Sequence, residues 1–205
     1  MITRLDHAVI GVADLDRAID AYRRLGFVVR PGGRHTGEGT HNAIVRFGLD
    51  YLELMAVHDE ARARTRPLGS ELLQFLRRRD GGLIGFVVAG LDSDDLAAAM
   101  RHAGFEPVGP IAMQRERADG RVLSWRLLFP HGPGWRDIAP FVVEWVTSDV
   151  ERLAWDAPVP HPNAVTRIAG LRIVVPDVAA ARTLYSRGLG LAVAPLGAAA
   201  ARVTL

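Results

Sequence analysis

The sequence has no cysteine, which excludes disulfides, thiolate zinc sites and thiol nucleophiles. It has no lysine either, since all 25 basic residues are arginine. Schiff-base chemistry, including pyridoxal phosphate attachment, and a P-loop lysine are therefore excluded. No apolar run approaches the roughly 20 residues needed to cross a bilayer. The N-terminal MITRLDHAV mixes charged and apolar residues from the start, without a signal-peptide layout. A cytoplasmic location with no membrane partner is expected. The formal net charge is only +2, and the RRR at 77–79 is short and isolated. It reads as a solvated helix end, so no nucleic-acid partner is expected.

What the sequence does have is a repeat. LDHAVIGVADLDRAIDAYRRLGFVV (5–29), LIGFVVAGLDSDDLAAAMRHAGFEPV (83–108) and IAGLRIVVPDVAAARTLYSRGLGLAV (168–193) share one layout. Each has a β-branched run, an Asp, a helical pattern, a Gly and a second apolar run. Asp14, Asp92 and Asp177 are expected to cap the helices, and Gly26, Gly104 and Gly188 to end them. HNAIVRF (41–47) and YLELMAV (51–57) extend the first unit to βαβββ. RVLSWRLLF (121–129) and APFVVEWV (139–146) do the same for the second. The predicted organisation is a first unit at 1–57, a helical linker at 58–81 and a second unit at 82–148. A connector at 149–164 and a partial third βαβ unit at 165–205 follow.

Tandem βαβββ units opening on LDHAVIGVADLDRAIDAYRRLGF resemble the vicinal oxygen chelate superfamily, and more closely its glyoxalase-like branch. GGRHTGEGTHNAIVRFGLDYLELMAV (32–57) and PFVVEW (140–145) carry the likeness further. The resemblance implies an α+β fold, with a curled mixed sheet around a cavity and helices on its outer face. It also implies metal ligands on the first and fourth strands of each unit, facing that cavity.

Strand alternation gives an independent reading of the faces. In LDHAVIGV, Ala8, Ile10 and Val12 form the helix-packing face, leaving His7 on the other. In YLELMAV, Leu52, Leu54 and Ala56 leave Glu53 on the other face. In PFVVEWV, Phe141, Val143 and Trp145 are taken as the helix-packing set, so Glu144 is expected to face inward. By position, the resemblance makes His7, Glu53 and Glu144 a metal-ligand set, with Glu53 or Glu144 as general base. The fourth position falls at Gly85, and its counterpart in the third unit at Gly170. A His with two carboxylates suits a divalent ion such as Fe, Mn, Ni or Zn.

The loop RHTGEGTHN (34–42) offers Arg34, His35, His41 and Asn42 as substrate-binding groups, His41 also being a possible extra ligand. Alternation around Trp125 directs Arg126 towards the cavity. Trp125 and Trp145 are expected in the core, and HGPGWRD (131–137) as a turn. The leading expectation is a metal-dependent lyase, isomerase or dioxygenase acting on a small oxygenated substrate. The alternative is a metal-free small-molecule or antibiotic-binding protein of the same fold, which the glycine at 85 favours. A homodimer, or an interaction domain pairing through the third unit, is a further possibility.

Overall fold

The structure is a computed structural model that describes residues 1–117, 119–132, 134–135 and 139–205. The first unit comprises β1 (Ile2–Val12), α1 (Leu15–Arg24), β2 (Arg30–Arg34), β3 (Thr40–Arg46) and β4 (Tyr51–Val57). Two helices follow, α2 (Glu60–Ala63) and α3 (Pro67–Leu76). The second unit comprises β5 (Gly81–Gly90), α4 (Ser93–His102), β6 (Val108–Glu116), β7 (Val122–Phe129) and β8 (Phe141–Trp145). The chain continues through α5 (Asp149–Trp155), α6 (Val178–Thr183), a π-helical turn at Leu184–Gly188, and the hairpin β9 (Ala192–Pro195) with β10 (Ala201–Thr204).

The eight strands of the two units form one mixed sheet, ordered β2-β3-β4-β1-β5-β8-β7-β6. The first strands of the two units pair antiparallel at its centre, and each pairs parallel with the fourth strand of its own unit. The sheet curls until its edges touch, where Arg115 of β6 donates from Nη1 to the Gly32 carbonyl of β2.

Each helix lies where the apolar spacing directs it. Leu15 and Ile19 of α1 pack on Ala43, Val45, Leu54 and Ala56. Ala97 and Met100 of α4 pack on Val88, Leu128 and Val142. Asp14 accepts from the Arg17 N–H at 3.0 Å, and Asp177 caps α6. Asp92 departs from the expectation: it is left-handed (φ 55°) and makes no side-chain cap. Gly26 and Gly104 close their helices at positive φ, whereas in the third unit the π turn runs through Gly188 and the positive φ falls on Gly190.

Two connectors do more than link. Helix α3 lies against the concave face, with Leu72 and Phe75 in one cluster with Val9, Met55 and Val87. The 149–164 segment straps back onto the first unit. There Asp156 pairs with Arg30 at 2.5 Å and Arg46 at 3.0 Å, and His161 accepts from the Val28 N–H at 3.0 Å.

The third unit is not a βαβ. IAGLRIVV (168–175) forms no strand, and Val174 is 94% exposed. The first strands of the other units are held by each other and by a fourth strand. Among the described residues this segment pairs with no strand.

The loop between β2 and β3 is fixed by backbone contact. His58 and Asp59 donate their N–H groups to the Gly39 carbonyl at 2.9 and 3.1 Å. Gly39 has φ +74°, and a Cβ there would lie 2.6 Å from both Ala63 N and Asp59 O. Gly39→Ala is expected to cost about 2–4 kcal/mol in urea unfolding, through combined strain and overlap. Gly37→Ala shares the positive φ but meets only the Arg66 side chain. It should cost no more than about 1–2 kcal/mol.

Candidate functional site

The concave face encloses a cavity of about 90 Å³, as swept by the centre of a water molecule. One water needs roughly 10–15 Å³ by the same measure, so a compact ligand fits. Its polar wall comes from β1, β3, β4 and β6, through His7, Asn42, Glu53 and Arg115. Its apolar wall comes from the second unit, through Val87, Leu127, Phe141, Val143 and three tryptophans, Trp125, Trp135 and Trp145.

His7 and Glu53 lie on the faces that alternation predicts, and the parallel pairing of β1 with β4 brings them together. His7 Nε2 lies 3.3 Å from Glu53 Oε2, and its Nδ1 lies 2.7 Å from Asp6 Oδ1. The ring stacks on Tyr51, its partner across β4, with centroids 4.5 Å apart. The other Glu53 oxygen, Oε1, accepts from Asn42 Nδ2 at 2.7 Å and lies 3.4 Å from His35 Nε2. His35 is itself anchored to Thr40 Oγ1 at 2.8 Å. The structure thus brings His35 and Asn42 to Glu53.

Asp6 carries no weight in the strand pattern, yet it holds this group together. Its side chain is fully buried and takes Arg4 Nη1 at 2.6 Å, Trp145 Nε1 at 2.9 Å and Arg152 Nη2 at 3.7 Å. A register irregularity of β1 between Leu5 and His7 lies at this residue. Burial alone would push the His7 pKa down, but the hydrogen bonds to Asp6 and Glu53 and their charges outweigh it, and the pKa is raised. Burial likewise opposes ionisation of Glu53, but hydrogen bonds from His35 and His7, with their charges, hold it well below the usual carboxylate range. Asp6 is also lowered, burial being overcome by His7, Arg152 and Arg4.

These directions give a stability window. The contribution of His7 is complete below its ordinary value of 6.5 and is lost as pH rises through its higher folded value. The contribution of Glu53 is complete above its ordinary 4.5 and is lost as pH falls through its lower folded value. Urea unfolding across pH should therefore show this group's stabilisation level between about 4.5 and 6.5, with a decline above 6.5 that disappears in His7→Gln.

Four sequence expectations are corrected. Glu144 does not face the cavity, because Phe141, Val143 and Trp145 take that face of β8. Glu144 instead accepts from the Ser93 hydroxyl, from the Ser93 N–H at 3.4 Å and from Arg126 Nη1 at 3.2 Å. It sits at the start of α4, where Asp92 was expected to cap and where a negative charge is favoured. Arg126 shares that outer face and clamps Asp94 at 2.8 and 2.9 Å. His41 lies on the α1 side of β3, its ring against His58 at 5.6 Å. Arg34, its partner across β2, is exposed and does not line the cavity. Alternation failed on β8 because Val142, on the side of Glu144, is as buried as Phe141 and Val143, so the larger aromatic set gave no sign of which side it took.

Trp125 and Trp145 line the cavity as well as packing on the core cluster beside it. Trp135, expected in a turn, is buried against Phe141 with ring centroids 4.6 Å apart. Part of that turn, Pro133 and residues 136–138, lies outside the described residues.

The ligand positions implied by the resemblance can now be compared with the register. Val9 pairs with Glu53 in the first unit and Val87 with Phe141 in the second. With Gly85 at the position of His7, the counterpart of Glu53 is Phe141, not Glu144. A Cβ at Gly85 would meet the Trp135 ring at 2.7 Å, so an indole fills the space of a fourth ligand. In the first unit the two imidazoles face different oxygens of Glu53 and do not converge on one point. Among the described residues no group of three or more His, Asp or Glu is placed to hold a metal ion. The donor set of this chain does not fit the four-ligand metal site of the superfamily.

A curled sheet of two βαβββ units, paired through their first strands around a pocket, defines a vicinal oxygen chelate fold. The profile of the glyoxalase-like domain family matches residues 5–189, and the chain belongs to that family. A search of curated proteins finds no significant match. Among solved structures, a hypothetical protein from Staphylococcus aureus is 23% identical, with a TM-score of 0.62 over 74% of this chain. The present chain covers 62% of the length of that protein. A variant of the methylmalonyl-CoA epimerase of Streptomyces coelicolor, in complex with 2-nitronate-propionyl-CoA, is 22% identical. Its TM-score is 0.51, over 71% of this chain and 99% of that one. These likenesses concern the fold. Among the described residues no helix is long and apolar enough to cross a membrane.

Proposed function

We propose that this protein is an acid–base enzyme that moves a proton next to the carbonyl group of a small oxygenated molecule. The observation that carries the reading is the His7–Glu53 pair on the cavity wall, with His7 anchored from behind by the fully buried Asp6. Asn42 and His35 occupy Oε1 of Glu53, while Oε2 faces His7 Nε2 at 3.3 Å, so a ligand at the edge of this pair meets the base and the acid together. Glu53 Oε2 takes the proton from carbon while His7 Nε2–H gives its proton to the carbonyl oxygen, producing a neutral enol. Return of the Glu53 proton to the neighbouring carbon, while His7 takes the proton of the neighbouring hydroxyl, yields an isomer and restores both residues. No co-reactant is consumed. Isomerase-type chemistry is favoured because His7 and Glu53 place an acid and a base side by side on one cavity wall.

The test is deuterium incorporation, followed by proton NMR, into a panel of small hydroxy and oxo compounds in heavy water containing a chelator. Exchange into at least one compound is expected, unaffected by the chelator and lost in His7→Gln. Exchange that requires an added divalent ion would overturn the reading. A second reading, a metal-free binding protein, is favoured by the loss of both second-unit ligand positions to Gly85 and Phe141. Saturable binding without exchange in any compound would select it.

A further inference from the structure

Among the described residues three arginines are buried, Arg46, Arg115 and Arg152. Arg46 is paired with Asp156 at 3.0 Å, and Arg152 with Asp149 at 2.7 Å and Asp6 at 3.7 Å. Arg115 differs. It is 95% buried, being 5% exposed, yet no carboxylate lies within ion-pair distance of it among the described residues. Among the described residues its one acceptor is the Gly32 carbonyl, which takes Nη1, and none is found for Nε or Nη2. A buried charge is ordinarily matched, because leaving it unmatched costs several kcal/mol.

The position of Arg115 explains what would match it. Along the edge strand β6 most side chains are exposed, but Met113 and Arg115 turn onto the cavity wall. The opposite edge holds Arg115 in place, with Gly33 leaving room beside its stem. Glu53 lies on the same wall, beyond ion-pair distance but close enough for its charge to act on the guanidinium.

We infer that Arg115 is the anion subsite of the cavity and that the ligand is a small carboxylate, held by its carboxylate group on the free N–H groups of Arg115. A guanidinium presents a planar fork that fits a carboxylate with two parallel hydrogen bonds. An aromatic-walled cavity of this volume suits a planar anion on a short carbon chain. This inference rests on the acid–base reading above and names its substrate class: a hydroxy or oxo acid, bound by Arg115 at one end and offered to His7 and Glu53 at the other.

The test compares calorimetric binding of lactate, its neutral isostere lactamide and inorganic phosphate. The wild-type protein is expected to bind lactate at least about tenfold more tightly than lactamide, the size of a charge-assisted hydrogen bond. Arg115→Gln should abolish the difference and Arg115→Lys should retain part of it. Equal or absent binding of lactate and lactamide by the wild type, a comparison that needs no variant, overturns the inference. So does a preference that survives in Arg115→Gln. Phosphate binding more tightly than lactate overturns the carboxylate assignment. Glu53→Gln should keep the lactate preference. If the preference holds while no compound exchanges deuterium, the acid–base reading fails and the anion subsite stands.

Discussion

Asp6→Ala is expected to lower the unfolding free energy by about 3–5 kcal/mol, the cost of removing one partner from a buried charge network. The reason lies in what remains. Arg152 is 2% exposed, sits over the Trp145 ring at 3.6 Å, and would keep only Asp149. His7 would lose its shorter contact and the Trp145 N–H its acceptor. For a chain of this size the loss corresponds to a fall in Tm on the order of 10 °C. Arg4→Ala removes a partly exposed partner of the same carboxylate and should cost about 1 kcal/mol or less. Urea and thermal unfolding of the two variants provide the check. A cost under about 1 kcal/mol for Asp6→Ala would show that the network does not organise the site.

Glu53→Gln is expected to reduce deuterium exchange by about 10²–10⁴-fold, the usual contribution of a positioned acid–base group. The amide can still accept from Asn42, so the local geometry should survive. What is lost is the basic oxygen and the negative charge that helps raise the His7 pKa. Imidazole titration by NMR should therefore show His7 titrating at lower pH in this variant. The titration reports whether the Glu53 charge reaches the imidazole, and the exchange rate reports whether Glu53 takes part in the chemistry. Unchanged exchange together with an unchanged His7 titration would remove Glu53 from the mechanism.

On β1 and β4 alternation was legible because Ala8, Ile10 and Val12, and Leu52, Leu54 and Ala56, mark the helix-facing side. It leaves one imidazole, His7, and one carboxylate, Glu53, on the other face, where the structure finds them. Asn42 and His35 were legible as donors of a glycine-rich loop, although not as partners of Glu53. The second unit was not legible in the same way. Its concave face is aromatic, so a polar residue such as Glu144 marked the outside and not the site. Arg115 was hidden for the opposite reason: on an exposed edge strand among other charged residues, only the closure of the sheet onto Gly32 buries it.

Residue types and repeat order alone determined the two βαβββ units, the absence of thiol and lysine chemistry, and the strand faces on which His7 and Glu53 lie. Those features follow from local periodicity and from which functional groups the chain contains. The tertiary structure decided the rest. It brought Asp6, Trp145 and Arg152 together from three elements, set an indole where a fourth ligand would stand, and left IAGLRIVV without strand neighbours. Each depends on contacts between residues far apart in the chain, and local pattern carries no record of which distant group fills a space or neutralises a charge.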